Sequence, residues 1–140
     1  MKLTTRIRYG TRALVEIAAN SGEEPVPLKV IAERQNLSQA YLEQLILSLK
    51  AAGLVRSVRG AKGGFLMVRD PKTITMMEVV EILGGKLEVT ECVKEPGVCS
   101  RSAKCAVRDF WNRIDEAIEG VLTSTTLADL VDWQRKTEKA

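Results

Sequence analysis

Three cysteines, Cys92, Cys99 and Cys105, are the only ones in the chain, and all fall within fourteen residues in the pattern C-x6-C-x5-C. Histidine is absent from the sequence. Its absence excludes Ser-His-Asp and Cys-His nucleophile pairs and the HExxH zinc motif. The sequence contains no P-loop and no GxGxxG motif after a strand. The clustered thiols are therefore the side chains that could carry chemistry.

Four interpretations of these thiols are open from residue types and spacing. Buried, inert cysteines are common, but glycine, proline and charged residues surround these three. A reversible disulfide is favoured by Arg101 and Lys104, because neighbouring positive charge stabilises thiolates. Structural zinc normally uses closely spaced cysteine pairs and four ligands, which this spacing does not match. An iron–sulfur cluster accepts thiolates from a more open loop. We favour the cluster, with the redox thiol pair as the next interpretation.

The half of the chain that precedes the thiols carries an excess of positive charge. Residues 1–70 carry eleven Lys and Arg against six Asp and Glu, whereas residues 71–140 carry ten against twelve. Excess positive charge in the first half indicates a polyanionic partner there. The start of the sequence lacks the apolar stretch of a signal peptide. Since no apolar run reaches the roughly 18 residues of a membrane span, we expect a cytoplasmic protein without membrane contact.

A helix-turn-helix is predicted at about residues 28–51, after a first helix capped by Thr4 or Thr5. LKVIAERQ predicts one helix, and Ser38 is the expected N-cap of the next. Apolar residues of that second helix recur at helical spacing and predict its buried face: Leu42, Leu45, Ile46 and Leu49. Gly53 stands where a C-terminal cap is expected. The opposite face, with Glu43 and Gln44, is expected to be exposed.

A basic hairpin is predicted at about residues 54–68. LVRSV and FLMV have the composition of strands, and three glycines lie between them. Arg56, Arg59 and Lys62 lie on or beside this hairpin. The order helix, helix, helix, hairpin predicts a mainly α fold, a winged helix-turn-helix with a two-stranded wing.

The remaining sequence predicts three further elements. Thr75-x-x-Glu78 predicts a capping box for a helix that stops at Gly84 and Gly85. A long helix follows the cysteines, and its apolar stripe from Val107 to Leu122 is interpreted as the seam of a two-fold dimer. Thr126-x-x-Asp129 predicts a last short helix. The expected units are residues 1–84 for DNA binding, residues 85–105 as the cysteine loop, and residues 106–140 for dimerisation.

Three stretches together resemble a known family. They are MKLTTRIRYGTRAL, PVPLKVIAERQNLSQAYLEQLILSLKAAGLVRSVRGAKGGF and the cysteine loop. Over about residues 1–135 the chain resembles the IscR-type iron–sulfur cluster regulators of the bacterial winged-helix repressor family. The resemblance implies a homodimeric transcription regulator, not an enzyme, that represses iron–sulfur biogenesis genes from palindromic double-stranded operators. It also implies that Cys92, Cys99 and Cys105 bind an iron–sulfur cluster, with [2Fe-2S] favoured over [4Fe-4S].

By position, the resemblance assigns base reading to Glu43, with Gln39, Tyr41 and Gln44 near it, and minor-groove approach to Arg59. The chemistry agrees, because Glu can accept from cytosine N4, Gln can pair with adenine, and Arg suits a narrow minor groove. Tyr41 and Ser38 can contact phosphates. The expected set of DNA-contacting residues is completed by Ser57 and Lys62.

Two positions depart from the family pattern. Arg108 stands where the iron–sulfur regulators have a histidine, and Arg8 where nitric-oxide-sensing relatives have an aspartate. The alternatives for a fourth ligand are a water, a small thiol, or one of three carboxylates: Glu91, Glu95 and Asp109. A missing strong ligand predicts a labile cluster, whose binding we expect to order residues 86–105.

The alternative functions are a nitric-oxide- or iron-responsive repressor of the same family and, with less support, a thiol-redox sensor or small electron-transfer protein. An electron carrier has no use for a capped recognition helix and a basic hairpin. The nature of the cluster, and its response to nitric oxide, would separate the two kinds of repressor.

Overall fold

The amino-terminal helix α1 (Thr5–Ala19) is the element on which the others pack in the computed structural model. The structure describes residues 2–20, 22 and 24–140, so Met1, Ser21 and Glu23 of the expected unit 1–84 lie outside the described residues. Thr4 caps the helix, as predicted, because its Oγ1 accepts from the Ile7 amide at 3.3 Å. The buried face of α1 packs against the helices that follow and forms the centre of the core.

The predicted helix-turn-helix is confirmed as α2 (Leu28–Gln35) and α3 (Gln39–Ala51). Asn36 makes the turn between them in the left-handed conformation, with φ 53°, which asparagine tolerates better than most residues. Ser38 Oγ accepts from the Tyr41 amide at 3.2 Å and begins α3. The predicted apolar face of α3 is buried. Gly53, with φ 76°, ends the helix where a side chain would be strained.

The wing is an antiparallel pair, β1 (Val55–Val58) and β2 (Gly64–Met67), in which Val55 faces Met67. Val26 extends the pairing, since it exchanges two backbone hydrogen bonds of 2.9 Å with Phe65. This approach requires Gly64, because a Cβ there would lie 2.3 Å from the Val26 carbonyl oxygen. The structure therefore confirms the mainly α, winged helix-turn-helix fold with a two-stranded wing.

The helix after the wing, α4 (Met76–Gly84), has half of the predicted capping box. Thr75 Oγ1 accepts from the Glu78 amide at 3.2 Å. The Glu78 carboxylate does not return to Thr75, because it is drawn into an ion pair with Arg69. The prediction of a complete capping box was wrong here for that reason.

The carboxyl-terminal part consists of α6 (Ala106–Ser124) and α7 (Leu127–Lys139), which follow the short cysteine-loop helix α5 (Glu91–Lys94). Thr126 and Asp129 form the predicted capping box at the start of α7. With 13 residues, α7 is longer than the short helix expected. It packs along α1 and adds Leu127 and Val131 to the same core. The division at residues 84 and 105 stays a prediction. Among the described residues, none of the helices is long and apolar enough to cross a membrane.

Candidate nucleic-acid interface and cysteine loop

The polar face of α3 is exposed, as its pattern predicts. Gln39, Glu43 and Gln44 lie on this face, opposite the buried leucines. Leu47, on the same face, is 60% exposed. Ala40 is exposed on the same face. The helix therefore presents acceptors, donors and apolar side chains to whatever approaches it, which are the groups that read base edges in the major groove.

The wing and α3 meet in an open groove of about 310 Å³. Glu43 and Leu47 from α3 and Ser57 from β1 line it. The structure thus brings together Glu43 and Ser57 of the predicted contact set. Arg59 and Lys62 are exposed in the turn of the hairpin and do not line the groove.

An aromatic contact between α1 and α3 was not predicted from the sequence. The Tyr41 and Tyr9 rings lie edge to face, with centroids 6.3 Å apart. The guanidinium carbons of Arg8 and Arg12 lie 5.7 and 5.4 Å from the centroid of Tyr9. The Arg-Tyr spacing on α1 is the sequence signal that could have identified Tyr9, since it places both cations near one ring.

The cysteine loop has more local structure than predicted, with α5 and two 3₁₀ turns, Pro96–Val98 and Ser102–Lys104. All three cysteines are free thiols; Cys99 is exposed, and Cys92 and Cys105 are half-buried. Cys92 Sγ lies 3.1 Å from Thr90 Oγ1. Cys105 caps α6, because its sulfur accepts from the Arg108 amide at 3.4 Å.

The thiols are not gathered into a ligand set in this conformation. In the part of the chain that the structure describes, no three Cys, Asp or Glu side chains form a group able to hold a metal ion. The suggested carboxylates Glu91, Glu95 and Asp109 are all exposed. The residue types nevertheless fit a cluster, because thiolates are its natural ligands.

Arg108, at the position of the expected histidine, acts as a hydrogen-bond donor to the loop. Its Nε donates to the Cys92 carbonyl at 2.7 Å, and its Nη2 to the Val93 carbonyl at 3.4 Å. An arginine does not normally ligate a metal, and it carries five N–H donors. This side chain therefore fastens the backbone of a predicted ligand to α6.

Lys94 makes a second attachment between α5 and α6. Its Nζ lies 2.9 Å from Asp115 Oδ2 and also pairs with Glu119. Asp115 is 4% exposed and is the one buried residue of α6. Hydrogen bonds to Glu119 and Asp115 raise the pKa of Lys94 above its ordinary value, so the ammonium stays charged throughout the neutral range.

The second half of the loop lacks such attachments. Ser102 Oγ is buried without a hydrogen-bond partner, alone in this among the side chains that the structure describes. Cys105 lines an open cavity of about 680 Å³ together with Arg101 and Lys104. A buried hydroxyl without a partner costs about 1–3 kcal/mol.

The apolar stripe of α6 is largely uncovered. Val107, Phe110 and Val121 are exposed, and Ile114 and Ile118 are half-buried. The Phe110 and Trp111 rings lie 5.2 Å apart, centroid to centroid. Such a stripe on a 19-residue helix is a surface able to bury against another chain.

Comparison with known proteins agrees with this arrangement. The Rrf2 model, described as an iron-dependent transcriptional regulator, matches residues 3–133. The regulator CymR of Bacillus subtilis is 41% identical over 133 residues, covering 95% of this chain and 91% of that protein. Its solved structure, titled the global cysteine regulator of B. subtilis, has a TM-score of 0.83 and covers 95% of this chain and 98% of the other.

IscR regulators are similar to the same extent. IscR of Klebsiella pneumoniae is 40% identical over 134 residues, covering 96% of this chain and 82% of that protein. The structure of T. potens IscR is 38% identical, with a TM-score of 0.79, and covers 100% of this chain and 93% of the other. These relatives are named transcriptional regulators and not enzymes, which confirms the predicted class. With this coverage and identity, the chain belongs to the Rrf2 family of DNA-binding transcriptional regulators.

Proposed function

We propose that the chain is a repressor whose DNA binding is tuned by an iron–sulfur cluster, [2Fe-2S] in the favoured form, held by Cys92, Cys99 and Cys105. The observation that carries the proposal is three free thiols within one short loop that is fastened to α6. The iron-dependent description of the family model and the IscR relatives support it. The cluster, when bound, supplies sensitivity to iron, oxygen and redox state.

The loop's own contacts refine the expected ordering of residues 86–105. Arg108 and Lys94 already hold α5 against α6. Cys99 is exposed in the half that lacks such contacts. We therefore expect ligand binding to reorganise mainly residues 95–104. Cluster binding can change DNA affinity only if DNA interacts differently with the two states of the loop.

Anaerobic reconstitution with iron and sulfide tests the cluster. Cys92→Ser, Cys99→Ser and Cys105→Ser should each lose the visible absorbance and bound iron, and Ser100→Ala is the matched control in the same loop. Alanine at Glu91, Glu95 or Asp109 should identify a carboxylate ligand by a changed spectrum. Equal affinity of the apo and loaded protein for every native operator would contradict the sensing role.

DNA reading is proposed for the exposed α3 face and the wing, through Ser38, Gln39, Tyr41, Glu43, Gln44, Ser57, Arg59 and Lys62. Glu43→Ala should relax preference at one base position by about 1–3 kcal/mol. Arg59→Ala should weaken binding to all sequences and reduce the salt slope by about 1. Glu81→Ala, an exposed carboxylate on α4, is the control. If Glu43→Ala lost binding to every sequence, a folding defect would replace the base-reading assignment.

We also propose a homodimer joined through the exposed stripe of α6, bound to a palindromic operator. A two-fold dimer matches the symmetry of such a site. Because the chromosome is the binding partner, the proposal places the protein in the cytoplasm.

A thiol-redox regulator is the second candidate, favoured by the exposed free thiol of Cys99 and its neighbour Arg101. The CymR relative, titled a cysteine regulator, is consistent with it. Failure to bind iron, together with a change of DNA affinity on oxidation that Cys99→Ser removes, would select this candidate. A spectrum bleached by nitric oxide, with a linked loss of DNA binding, would instead select the nitric-oxide-responsive alternative.

A further inference from the structure

A cleft of about 760 Å³ opens between α1, the end of α2 and α7. Its volume falls within the roughly 300–1,000 Å³ of small-molecule sites. None of its lining residues belongs to the DNA-reading set or to the cysteine loop. The side chains that carry the inference are Arg12, Glu16, Arg34, Trp133, Gln134 and Glu138.

The floor and one wall of the cleft are held by hydrogen bonds. Glu16 is buried, and its carboxylate accepts from Arg34 Nη1 at 3.2 Å and from Gln35 Nε2 at 2.9 Å. Arg12 donates from Nε to Gln35 Oε1 at 2.7 Å and from Nη2 to the Gln35 carbonyl at 3.2 Å. Because these groups are fixed before any ligand arrives, binding would cost little ordering of the wall.

The two sides of the cleft carry opposite charge. Arg12 and Arg34 contribute guanidinium groups from α1 and α2, and α7 contributes the Glu138 carboxylate. The Trp133 side chain is 56% exposed at this cleft, although Leu127 and Val131 of the same helix are buried. Guanidinium groups bind carboxylates in a forked geometry, and an indole face attracts an ammonium group.

We propose that this cleft binds a free α-amino acid as a second input to the regulator. The carboxylate would face the guanidinium side, and the ammonium group would face Glu138 and Trp133. Glu16 and Arg34 compensate each other's charge, and Gln35 adds a hydrogen bond to the Glu16 carboxylate, so Arg12 and Glu138 are the charges left to face a ligand. A singly charged ligand would satisfy only one of them. A zwitterion satisfies both.

Contacts lead from the cleft to the DNA-reading helix. Arg12 packs over Tyr9, and Tyr9 packs edge to face on Tyr41 of α3. Gln35, which holds Arg12, is the last residue of α2 and directly precedes the Asn36 turn. An occupant that shifts Arg12 therefore acts on the support of α3. By linkage, the ligand and DNA must alter each other's affinity by the same factor.

Binding is tested by titrating each common protein amino acid, to about 10 mM, ten times a weak dissociation constant of about 1 mM, into the intact protein. In a Trp111→Phe background, Trp133 is the remaining tryptophan and should show a saturable change in emission. Glu138→Gln should weaken binding at least tenfold. Lys136→Gln, on the same helix but outside the cleft lining, should leave it unchanged. Calorimetry on Trp133→Leu, with an expected loss of at least fivefold, gives a readout that does not depend on fluorescence.

Acetate and methylamine, titrated alone, separate a zwitterion site from a carboxylate or amine site. The proposal is overturned if no amino acid binds, if acetate or methylamine binds as tightly, or if neither Glu138→Gln nor Trp133→Leu weakens binding. These measurements use no DNA and no iron, so they are independent of the proposed cluster.

The link to α3 has its own variant. Tyr9→Leu should keep amino-acid binding, while the ligand's effect on operator affinity, about fivefold or more in the original chain, disappears. An effect that persists in Tyr9→Leu would overturn this route.

Discussion

Residues 7–83 and two positions of α7, Leu127 and Val131, supply every buried hydrophobic side chain among the residues that the structure describes. Between Gly85 and Thr126, by contrast, the one buried residue in that described stretch is Asp115. The first region, the winged-helix body, has an apolar core. The second region, residues 85–126, which we call the sensor segment after its proposed role, packs the half-buried Leu87 and Leu122 against that core. Within this segment, the charged donors Arg108 and Lys94 join α5 to α6.

The two regions should therefore differ in how easily they change shape. Burial of a large apolar side chain contributes about 1.5–3 kcal/mol, whereas a hydrogen bond contributes about 0.5–1.5 kcal/mol net. The sensor segment should therefore open locally while the winged-helix body stays folded. A region of low local stability is where a ligand or a second chain can alter conformation at small cost.

The largest effect should come from the core of the winged-helix body. Leu14 is fully buried on α1, and Leu14→Ala should lower the free energy of unfolding by about 2–5 kcal/mol, because it leaves a cavity. Urea denaturation followed by circular dichroism measures this. Leu3→Ala, at an exposed leucine near the same end of the chain, is the control. A loss below 1 kcal/mol would contradict the apolar core as the main source of stability.

A smaller effect is expected at the exposed stripe of the sensor segment. Phe110→Ala should weaken the proposed dimer by about 2 kcal/mol, the threshold of an interface hot spot, which is roughly a 30-fold change in dissociation constant. Sedimentation equilibrium measures the constant. Val68→Ala, an exposed apolar position near the wing, should leave it unchanged. If both variants behaved alike, the α6 stripe would not be the dimer seam.

Lys94→Met should release α5 from α6 at a cost of about 1–2 kcal/mol in local opening, because it leaves the buried Asp115 without its cation. Hydrogen exchange at residues 91–94 should quicken, while exchange in α1 should not. Lys104→Met, at an exposed lysine of the same loop, serves for comparison.

The same contact predicts a flat pH dependence. Because folding raises the Lys94 pKa, its contribution is fully present below the ordinary value of 10.5 and is lost only as pH rises through the higher folded value. The free energy of local opening at residues 91–94, obtained from hydrogen exchange after correction for intrinsic exchange rates, should therefore be the same at about pH 6 and pH 9. A steep change in that range would show that another group controls the attachment.

The smallest effect is expected where the two regions join. Thr126→Ala removes the side chain that accepts from the Asp129 amide at 3.2 Å and should cost about 1 kcal/mol. Thermal unfolding measures it, and Thr126→Ser should restore most of the loss. No change for Thr126→Ala would mean that the packing of Leu127, rather than the cap, fixes this corner.

The sequence predicted the winged-helix body well because local rules and burial agree there. The caps at Thr4 and Ser38, the turn before α3 and the face of α3 all follow from residue type and helical spacing. The exposure of Glu43 and Gln44 follows from the same spacing.

Prediction was poorer wherever distant residues decide the outcome. Glu78 has a capping position, but Arg69 takes its carboxylate. The contacts of Tyr9 with Tyr41 and of Lys94 with Asp115 join residues far apart in sequence, so no local pattern contains them. The sequence showed that Arg108 replaces an expected histidine ligand. Its role as a hydrogen-bond donor to the loop could not be predicted, because it depends on how α5 folds back on α6.

The Arg108 contact also has a consequence for the response of the loop to pH. A histidine in that place would gain or lose a proton close to neutrality, whereas a guanidinium group stays charged at every physiological pH. The chain contains no histidine. The contact of Arg108 with the loop backbone therefore does not respond to mild acidification. A drift of one pH unit inside a cell would therefore leave the hydrogen bonds from Arg108 to the Cys92 and Val93 carbonyls unchanged.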